Sequence, residues 1–254
     1  MPFVTVHDVR LEYEMIEPAG AGAGTLVLLH EGLGSLAMWR DWPAKLAAAT
    51  GRRVLVSSRQ GYGQSDPCPG PRPVSYMHDE ALVVLPALLD ALGIERPVLI
   101  GHSDGGSIAL IHAGGSGRPV RGVVTMAAHV FVEDLTVASI AHAKVAFETT
   151  SLAERLGRYH RDAAAAFRGW NDIWLNPDFL DWNIESYLRA IACPVLAIQG
   201  IDDEYGTRAQ LDSITLGVGR RARIMLLDKC RHSPHRDREA SVTSAIADFV
   251  SALR

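Results

Sequence analysis

The sequence predicts an α/β fold with one mostly parallel β-sheet, helices on both faces and a helical insertion. Short apolar runs rich in Val, Ile and Leu recur along the chain, each followed by Gly, Ser, Asp or His. Helix-like stretches separate these runs, and such alternation is typical of parallel strands that are covered on both faces. The 254 residues, 48% of them hydrophobic, are enough for one large core.

The individual elements follow from these patterns in chain order. The segment Val4–Ile16 alternates between polar and apolar residues, which predicts one or two antiparallel edge strands. Buried parallel strands are predicted at residues 26–30, 54–57, 98–101, 123–126, 195–198 and 224–227. Helices are predicted at residues 37–50, 76–92, 107–113, 208–216 and 238–253, and Pro86 is expected to kink the second of these helices.

Residues 131–189 interrupt the alternation, because they contain no strand-like run and are helical and aromatic in composition. The insertion follows the strand at 123–126, which places it over the carboxyl ends of the sheet, where open α/β sheets bind ligands. We therefore expect a core formed by residues 1–130 and 190–254 and a helical lid formed by 131–189. Trp170 and Trp174 share a helical face of this lid, where they either contact substrate or form the lid's own core.

Charge and cysteine content exclude several function classes. With 25 basic and 29 acidic residues and a net charge of −4, the chain has no basic patch for nucleic acid or an anionic membrane. It also shows no signal peptide and no membrane-spanning run, so we expect a cytoplasmic protein with a small-molecule partner. Its three cysteines are too scattered for a disulfide framework or a zinc cluster, and no metal or other cofactor is expected. These cysteines are Cys68, Cys193 and Cys230.

The strongest motif is G-H-S-D-G at residues 101–105, which follows an apolar strand and precedes a helical pattern. This is the strand, turn and helix context of a nucleophile elbow, in which a strained tight turn exposes a serine. Gly101 and Gly105 would allow the strand and the helix to approach each other closely. Ser103 is therefore the candidate nucleophile.

A serine hydroxyl needs a base to take its proton, and the segment after the last strand contains two histidines. His232 comes first after that strand, where its ring could reach the elbow, and we favour it over His235. The two rings could also bind a metal ion, but Pro234 disrupts the helical geometry that would aim both of them at one ion.

A carboxylate is needed to orient the histidine, and the strand at 195–198 leads into Asp202, Asp203 and Glu204. The chain order of serine, acid and histidine matches the nucleophile-elbow arrangement rather than those of other serine hydrolases. On these grounds all three acids compete for the role, and those that do not take it would cap the following helix or face solvent.

Three motifs together resemble the α/β-hydrolase superfamily, particularly its lid-bearing branch of esterases, epoxide hydrolases, dehalogenases and C–C hydrolases. They are the segment Leu28–Ser35 with Trp39, similar to the branch's His-Gly oxyanion loop; Ser57–Asp66, similar to its D-x-x-G-x-G-x-S turn; and the elbow itself. The resemblance implies the α/β-hydrolase fold. Glu31 stands where the family has glycine, and Ser58 stands where it has aspartate.

The resemblance also implies roles for individual residues. The family's acid lies three residues after a glycine, which from Gly200 favours Asp203. Its oxyanion donors correspond to the backbone N–H groups of Gly32 and Asp104. A serine nucleophile argues against dehalogenase and epoxide-hydrolase chemistry, which both use a carboxylate.

The predicted function is hydrolysis of a carboxylic ester or thioester through an acyl-enzyme on Ser103, with His232 as base and Asp203 as orienting acid. The alternatives are a C–C hydrolase of ring-fission dienones and a non-catalytic ligand receptor of the same fold. Trp39, His129, Trp170 and Trp174 are candidate substrate contacts. The Asp104 side chain either caps the elbow helix or, if it faces the pocket, meets a cationic or hydroxylated substrate group.

Overall fold

The structure, a computed structural model, describes residues 2–20, 22 and 24–253; the outer limits of the predicted core, Met1 and Arg254, lie outside the described residues. Within this part of the chain eight strands form one sheet. They are β1 (Phe3–Val6), β2 (Val9–Ile16), β3 (Thr25–Leu29), β4 (Arg53–Ser57), β5 (Val98–His102), β6 (Gly122–Met126), β7 (Val195–Gly200) and β8 (Ala222–Leu227).

The spatial order of the sheet is β1-β2-β4-β3-β5-β6-β7-β8. The first two strands pair antiparallel with their neighbours, and all the other pairs are parallel. This confirms the predicted sheet, including the antiparallel edge formed by the start of the chain. One prediction was wrong, because β8 is half exposed: as the last strand it has only one neighbour, and Ile224 and Leu226 remain 44% and 38% exposed.

Helices connect the strands on both faces of the sheet. They are α1 (Trp42–Thr50), α2 (Tyr76–Asp79), α3 (Leu85–Ala91), α4 (Asp104–Gly115), α5 (Asp134–Thr149), α6 (Leu152–Gly157), α7 (Ala163–Trp174), α8 (Glu185–Leu188), α9 (Arg208–Val218), α10 (Pro234–Asp237) and α11 (Glu239–Ser251). Short 3₁₀ segments occupy Leu36–Trp39, Pro177–Phe179 and Gly219–Arg221.

The predicted helix at residues 76–92 is continuous but irregular. A π-helical turn, Glu80–Val84, joins α2 to α3 and ends two residues before Pro86. Proline has no N–H to donate to the preceding turn, so the regular α-helical hydrogen-bond pattern cannot pass through this position.

The parallel strands position the candidate site. Their carboxyl ends lie at one edge of the sheet and lead into the loop after β3, the turn after β5, the loop after β6 and the loop after β7. Helices α5 to α8 lie between β6 and β7, so the segment predicted to be helical is helical. The backbone N–H of Ile184 donates to Val130 O (2.8 Å), which ties the end of this segment to the loop after β6. None of the helices in the described ranges is long and apolar enough to cross a bilayer.

Candidate active site

Ser103 lies in a strained turn between β5 and α4. Its backbone has φ 52° and ψ −120°, a conformation that L-residues rarely adopt, and its N–H donates to Met126 O at 2.8 Å. Small neighbours make this turn possible, because a Cβ on Gly101 would lie 2.1 Å from Gly105 O and one on Gly105 would lie 2.0 Å from Leu29 O. The tight approach of strand and helix therefore fixes where the hydroxyl points.

The hydroxyl of Ser103 meets the imidazole of His232, whose other nitrogen meets Asp203. The distance from Ser103 Oγ to His232 Nε2 is 3.0 Å, and His232 Nδ1 lies 2.8 Å from Asp203 Oδ1. A carboxylate can only accept, so Nδ1 carries the proton and Nε2 is free to accept from the serine. The structure thus joins three residues that are far apart in sequence into one chain of hydrogen bonds.

The three acids after β7 have different positions. Asp203 is buried, and its Oδ1 also accepts from the N–H of Tyr205 at 2.9 Å. Glu204 accepts from the backbone N–H of His232 (3.1 Å), whereas Asp202 is exposed. Burial acts to raise the pKa of the Asp203 carboxyl, but its hydrogen bonds and the charge of His232 outweigh burial and lower that pKa below its ordinary value.

His235 lies behind the elbow rather than against Ser103. Its ring centroid is 4.9 Å from that of Trp39 and 5.3 Å from that of Trp42, and burial lowers its pKa well below the ordinary value. The nearby thiol of Cys230 is buried, which raises its pKa to about 11 and keeps it protonated at neutral pH.

The loop after β3 is held by Arg59. The guanidinium donates to His30 O (2.6 Å) and to Glu31 O (3.1 Å), and the Arg59 N–H donates to His30 Nε2 (3.1 Å). In a trans peptide the C=O and N–H groups point in opposite directions. Because the Glu31 carbonyl points to Arg59, the N–H of Gly32 points away from it.

Gly32 is needed here for space, because a Cβ at this position would lie 2.1 Å from Trp170 Cδ1. Gly32, Ser103 and Asp104 line the same cavity. Among the described residues, none accepts a hydrogen bond from the N–H of Gly32 or of Asp104. Two amide donors that could stabilise a developing negative charge therefore lie beside the serine.

Glu31 and Ser58, the two residues that depart from the family motifs, each contact polar groups of neighbouring residues. Glu31 Oε2 lies 3.4 Å from His102 Nδ1. Burial acts to raise the pKa of the Glu31 carboxyl, but His102 and Arg236 outweigh burial and lower that pKa well below the usual range. Ser58 Oγ donates to the buried Glu12 (2.6 Å) and accepts from the Leu36 N–H (2.8 Å). The Glu12 carboxylate of β2 thus supports the turn at Ser58, the position where the family has aspartate.

A cavity of about 110 Å³ lies over these groups. His129, Trp170 and Trp174 line it, as the sequence predicted for candidate substrate contacts. Trp39 does not reach it: its ring stacks on Trp42 with a 5.5 Å centroid distance in the core on the other side of the sheet. A wider groove of about 570 Å³ lies between α7 and the loop of residues 61–72, away from Ser103.

Several residues at the cavity were not singled out from the sequence. Tyr76 donates to Asp104 Oδ2 (2.7 Å) and accepts from Trp174 Nε1 (3.1 Å). Tyr205 packs on His232 with a 4.7 Å centroid distance. The remaining such lining residues are Leu33, Thr136 and Ile140. Apart from Leu33, which lies within the loop motif Leu28–Ser35, no sequence motif marks these positions, because each depends on tertiary packing.

The sequence of this chain is similar to those of known α/β-hydrolase-fold proteins. The family model described as alpha/beta hydrolase fold matches residues 24–180. A 2-hydroxy-6-oxononadienedioate/2-hydroxy-6-oxononatrienedioate hydrolase from Cupriavidus pinatubonensis is 26% identical over 98% of this chain and 94% of its own length.

Solved structures that share the fold include the following two. An enol-lactonase from Burkholderia xenovorans LB400 superposes with a TM-score of 0.77 at 21% identity, covering 98% of this chain and all of the other. A structure from a study of Nitrososphaera gargenis carboxylesterases superposes with a TM-score of 0.79 at 18% identity, covering 98% of this chain and 99% of the other.

Proposed function

This chain belongs to the α/β-hydrolase family, and we propose that it is a serine hydrolase that cleaves a carboxylic ester or thioester. The observation that carries the proposal is the hydrogen-bonded chain from Ser103 through His232 to Asp203, with distances of 3.0 and 2.8 Å. These three residues form a catalytic triad of nucleophile, base and orienting acid.

In the first step His232 Nε2 takes the Ser103 proton while Oγ attacks the carbonyl carbon of the substrate. The carbonyl electrons move onto oxygen, and the N–H groups of Gly32 and Asp104 donate to this oxyanion. Each such donor lowers the barrier by about 3 kcal/mol in comparable sites. The Asp203 carboxylate stabilises the imidazolium without taking its proton.

In the second step the C–O or C–S bond breaks, and the leaving alcohol or thiol takes the proton from His232. A water molecule then transfers a proton to His232 Nε2 and attacks the acyl-enzyme, which releases the acid and restores the Ser103 hydroxyl. Every proton transfer in this cycle uses the same imidazole nitrogen.

The charge of the cavity favours an ester over the substrate of the Cupriavidus relative. The name of that enzyme specifies a dioate, which is a dicarboxylate. Among the described residues that line the cavity there is no Lys or Arg, whereas two of them, Asp104 and Glu31, are acidic. Buried carboxylates of a substrate would need a cationic partner. The relative nevertheless makes C–C hydrolysis of a ring-fission dienone the second candidate.

A substrate panel tests the proposal. We expect the pure protein to hydrolyse short 4-nitrophenyl esters or acyl thioesters with a higher kcat/KM than ring-fission dienones, and the Ser103→Ala variant to be inactive on all of them. Turnover of dienones alone would establish the second candidate. Binding of these compounds without turnover would instead indicate a receptor.

The helices of residues 131–189 are proposed to act as a lid whose Trp170 limits the size of the acyl group. Trp170→Ala removes apolar contact area, so we expect KM to rise about tenfold for a hexanoyl ester and less than about threefold for an acetyl ester. The matched control is Phe147→Ala, which removes a lid ring that stacks on Phe167 away from the cavity. It should lower the melting temperature without changing this selectivity. Equal losses with both esters in Trp170→Ala would make Trp170 part of the lid core instead.

A further inference from the structure

Two buried acceptor atoms of residues that line the cavity have no hydrogen-bond partner among the described residues. They are Asp104 Oδ1 and His129 Nδ1. Both residues line the cavity with Ser103, and their exposed fractions are only 1% and 2%. Buried polar atoms are nearly always paired in folded proteins, so an unpaired pair beside a nucleophile indicates a ligand.

The hydrogen bonds of His129 make its Nδ1 an acceptor. Its Nε2 lies 3.0 Å from the backbone oxygen of Tyr205, which also accepts from Thr136 Oγ1. A carbonyl oxygen cannot donate, so Nε2 carries the proton. Burial lowers the pKa of His129, which keeps the ring neutral and leaves Nδ1 with a free lone pair.

The other oxygen of Asp104 is already occupied. Oδ2 accepts from the Tyr76 hydroxyl at 2.7 Å and lies 3.9 Å from the Arg59 guanidinium. The side chain does not cap the elbow helix, which was one of the two roles expected from the sequence. Tyr76 and Arg59 therefore hold the side chain through Oδ2 and leave Oδ1 without a partner.

We propose that Asp104 Oδ1 and His129 Nδ1 bind a neutral hydroxylated group of the substrate close to the scissile bond. This inference rests on the proposed ester hydrolysis and narrows its substrate class to hydroxylated esters. Each hydroxyl group supplies one O–H donor, which either of these two acceptors can bind. The rest of the cavity is mainly aromatic and aliphatic, which suits the carbon skeleton of a small ester.

The charge balance favours a hydroxyl over an ammonium group. Arg59 already lies within ion-pair distance of Asp104, and its side chain is only 8% exposed. A substrate ammonium would bring a second buried cation to a single carboxylate, at a high desolvation cost. A hydroxyl donates one hydrogen bond without adding charge.

Matched esters test the proposal by activity. Methyl 3-hydroxybutanoate is compared with methyl butanoate, and 2-hydroxyethyl butanoate with propyl butanoate, so that the hydroxyl lies on either side of the ester. We expect at least one hydroxylated ester to exceed its apolar counterpart in kcat/KM by about 10- to 100-fold, as for a hydrogen bond to a charged group. Methyl 3-aminobutanoate, in its ammonium form, should not share this advantage.

The sharpest variant is Asp104→Asn. Tyr76 and Arg59 are donors, so the amide oxygen is expected to keep the position of Oδ2 and the NH₂ group to replace Oδ1. The shape is preserved while an acceptor becomes a donor, and the preference for the hydroxylated ester should fall to about twofold or less. His129→Phe should reduce the same preference while keeping a ring in place. Ile140→Val, an apolar change in the same cavity, is the control and should retain the preference.

Binding provides a readout that does not depend on turnover. Ser103→Ala leaves the esters intact, and calorimetric titration should show tighter binding of the hydroxylated ester, an advantage lost in Ser103→Ala/Asp104→Asn. Loss of turnover of all esters by the wild-type protein would contradict the proposed hydrolysis but leave this binding test valid. No preference in binding, a larger gain with the ammonium ester, or an equal loss of preference in Ile140→Val would overturn the hydroxyl site.

Discussion

Ser103→Ala and His232→Ala are each expected to lower kcat by about 10⁶-fold, as measured when the nucleophile or base of a serine protease is removed. The two residues share one hydrogen bond of 3.0 Å and act as a unit, so the double variant should lose little more than either single one. A fluorophosphonate probe followed by mass spectrometry should label Ser103 in the wild-type protein and fail to label either variant.

The control for this experiment is His235→Ala. His235 packs against the rings of Trp39 and Trp42 and is buried, so its loss should lower the melting temperature far more than the rate of labelling. If His235→Ala abolished labelling while His232→Ala remained reactive, the assignment of the base would be wrong.

Asp203→Asn is expected to lower kcat by about 10⁴-fold without unfolding the protein. Asp203 Oδ1 accepts from both His232 Nδ1 and the Tyr205 N–H. If the asparagine turns its NH₂ group toward the imidazole, Nδ1 must become the acceptor and Nε2 must carry the proton. The imidazole could then no longer accept from Ser103.

Two neighbouring acids serve as controls for the Asp203 variant. Asp202→Asn changes an exposed side chain and should leave kcat within about twofold. Glu204→Gln weakens the hydrogen bond to the His232 backbone and should cost less than Asp203→Asn. Circular dichroism would verify that all three variants fold. Similar, modest losses in Asp202→Asn and Asp203→Asn would show that another group orients the histidine.

The sheet could be predicted because its signal is local. Runs such as residues 26–29 and 98–101 are apolar throughout, and only a strand covered on both faces needs that pattern. The same reasoning failed for β8, whose apolar run is equally continuous. Whether a strand lies at the edge of a sheet depends on the order of strands in space, which a local pattern does not contain.

The candidate site, like the sheet, could be predicted only in part. The sequence alone determined the elbow around Ser103 and the loops from which a base and an acid could come, because turn residues and strand ends are read locally. Tertiary structure decided which carboxylate among Asp202, Asp203 and Glu204 faces the imidazole, since neighbouring residues on one loop point in different directions. It also placed Trp39 in the core and turned the Asp104 side chain to Tyr76 and Arg59. Those contacts join residues far apart in the chain, and only the folded backbone sets the distances between them.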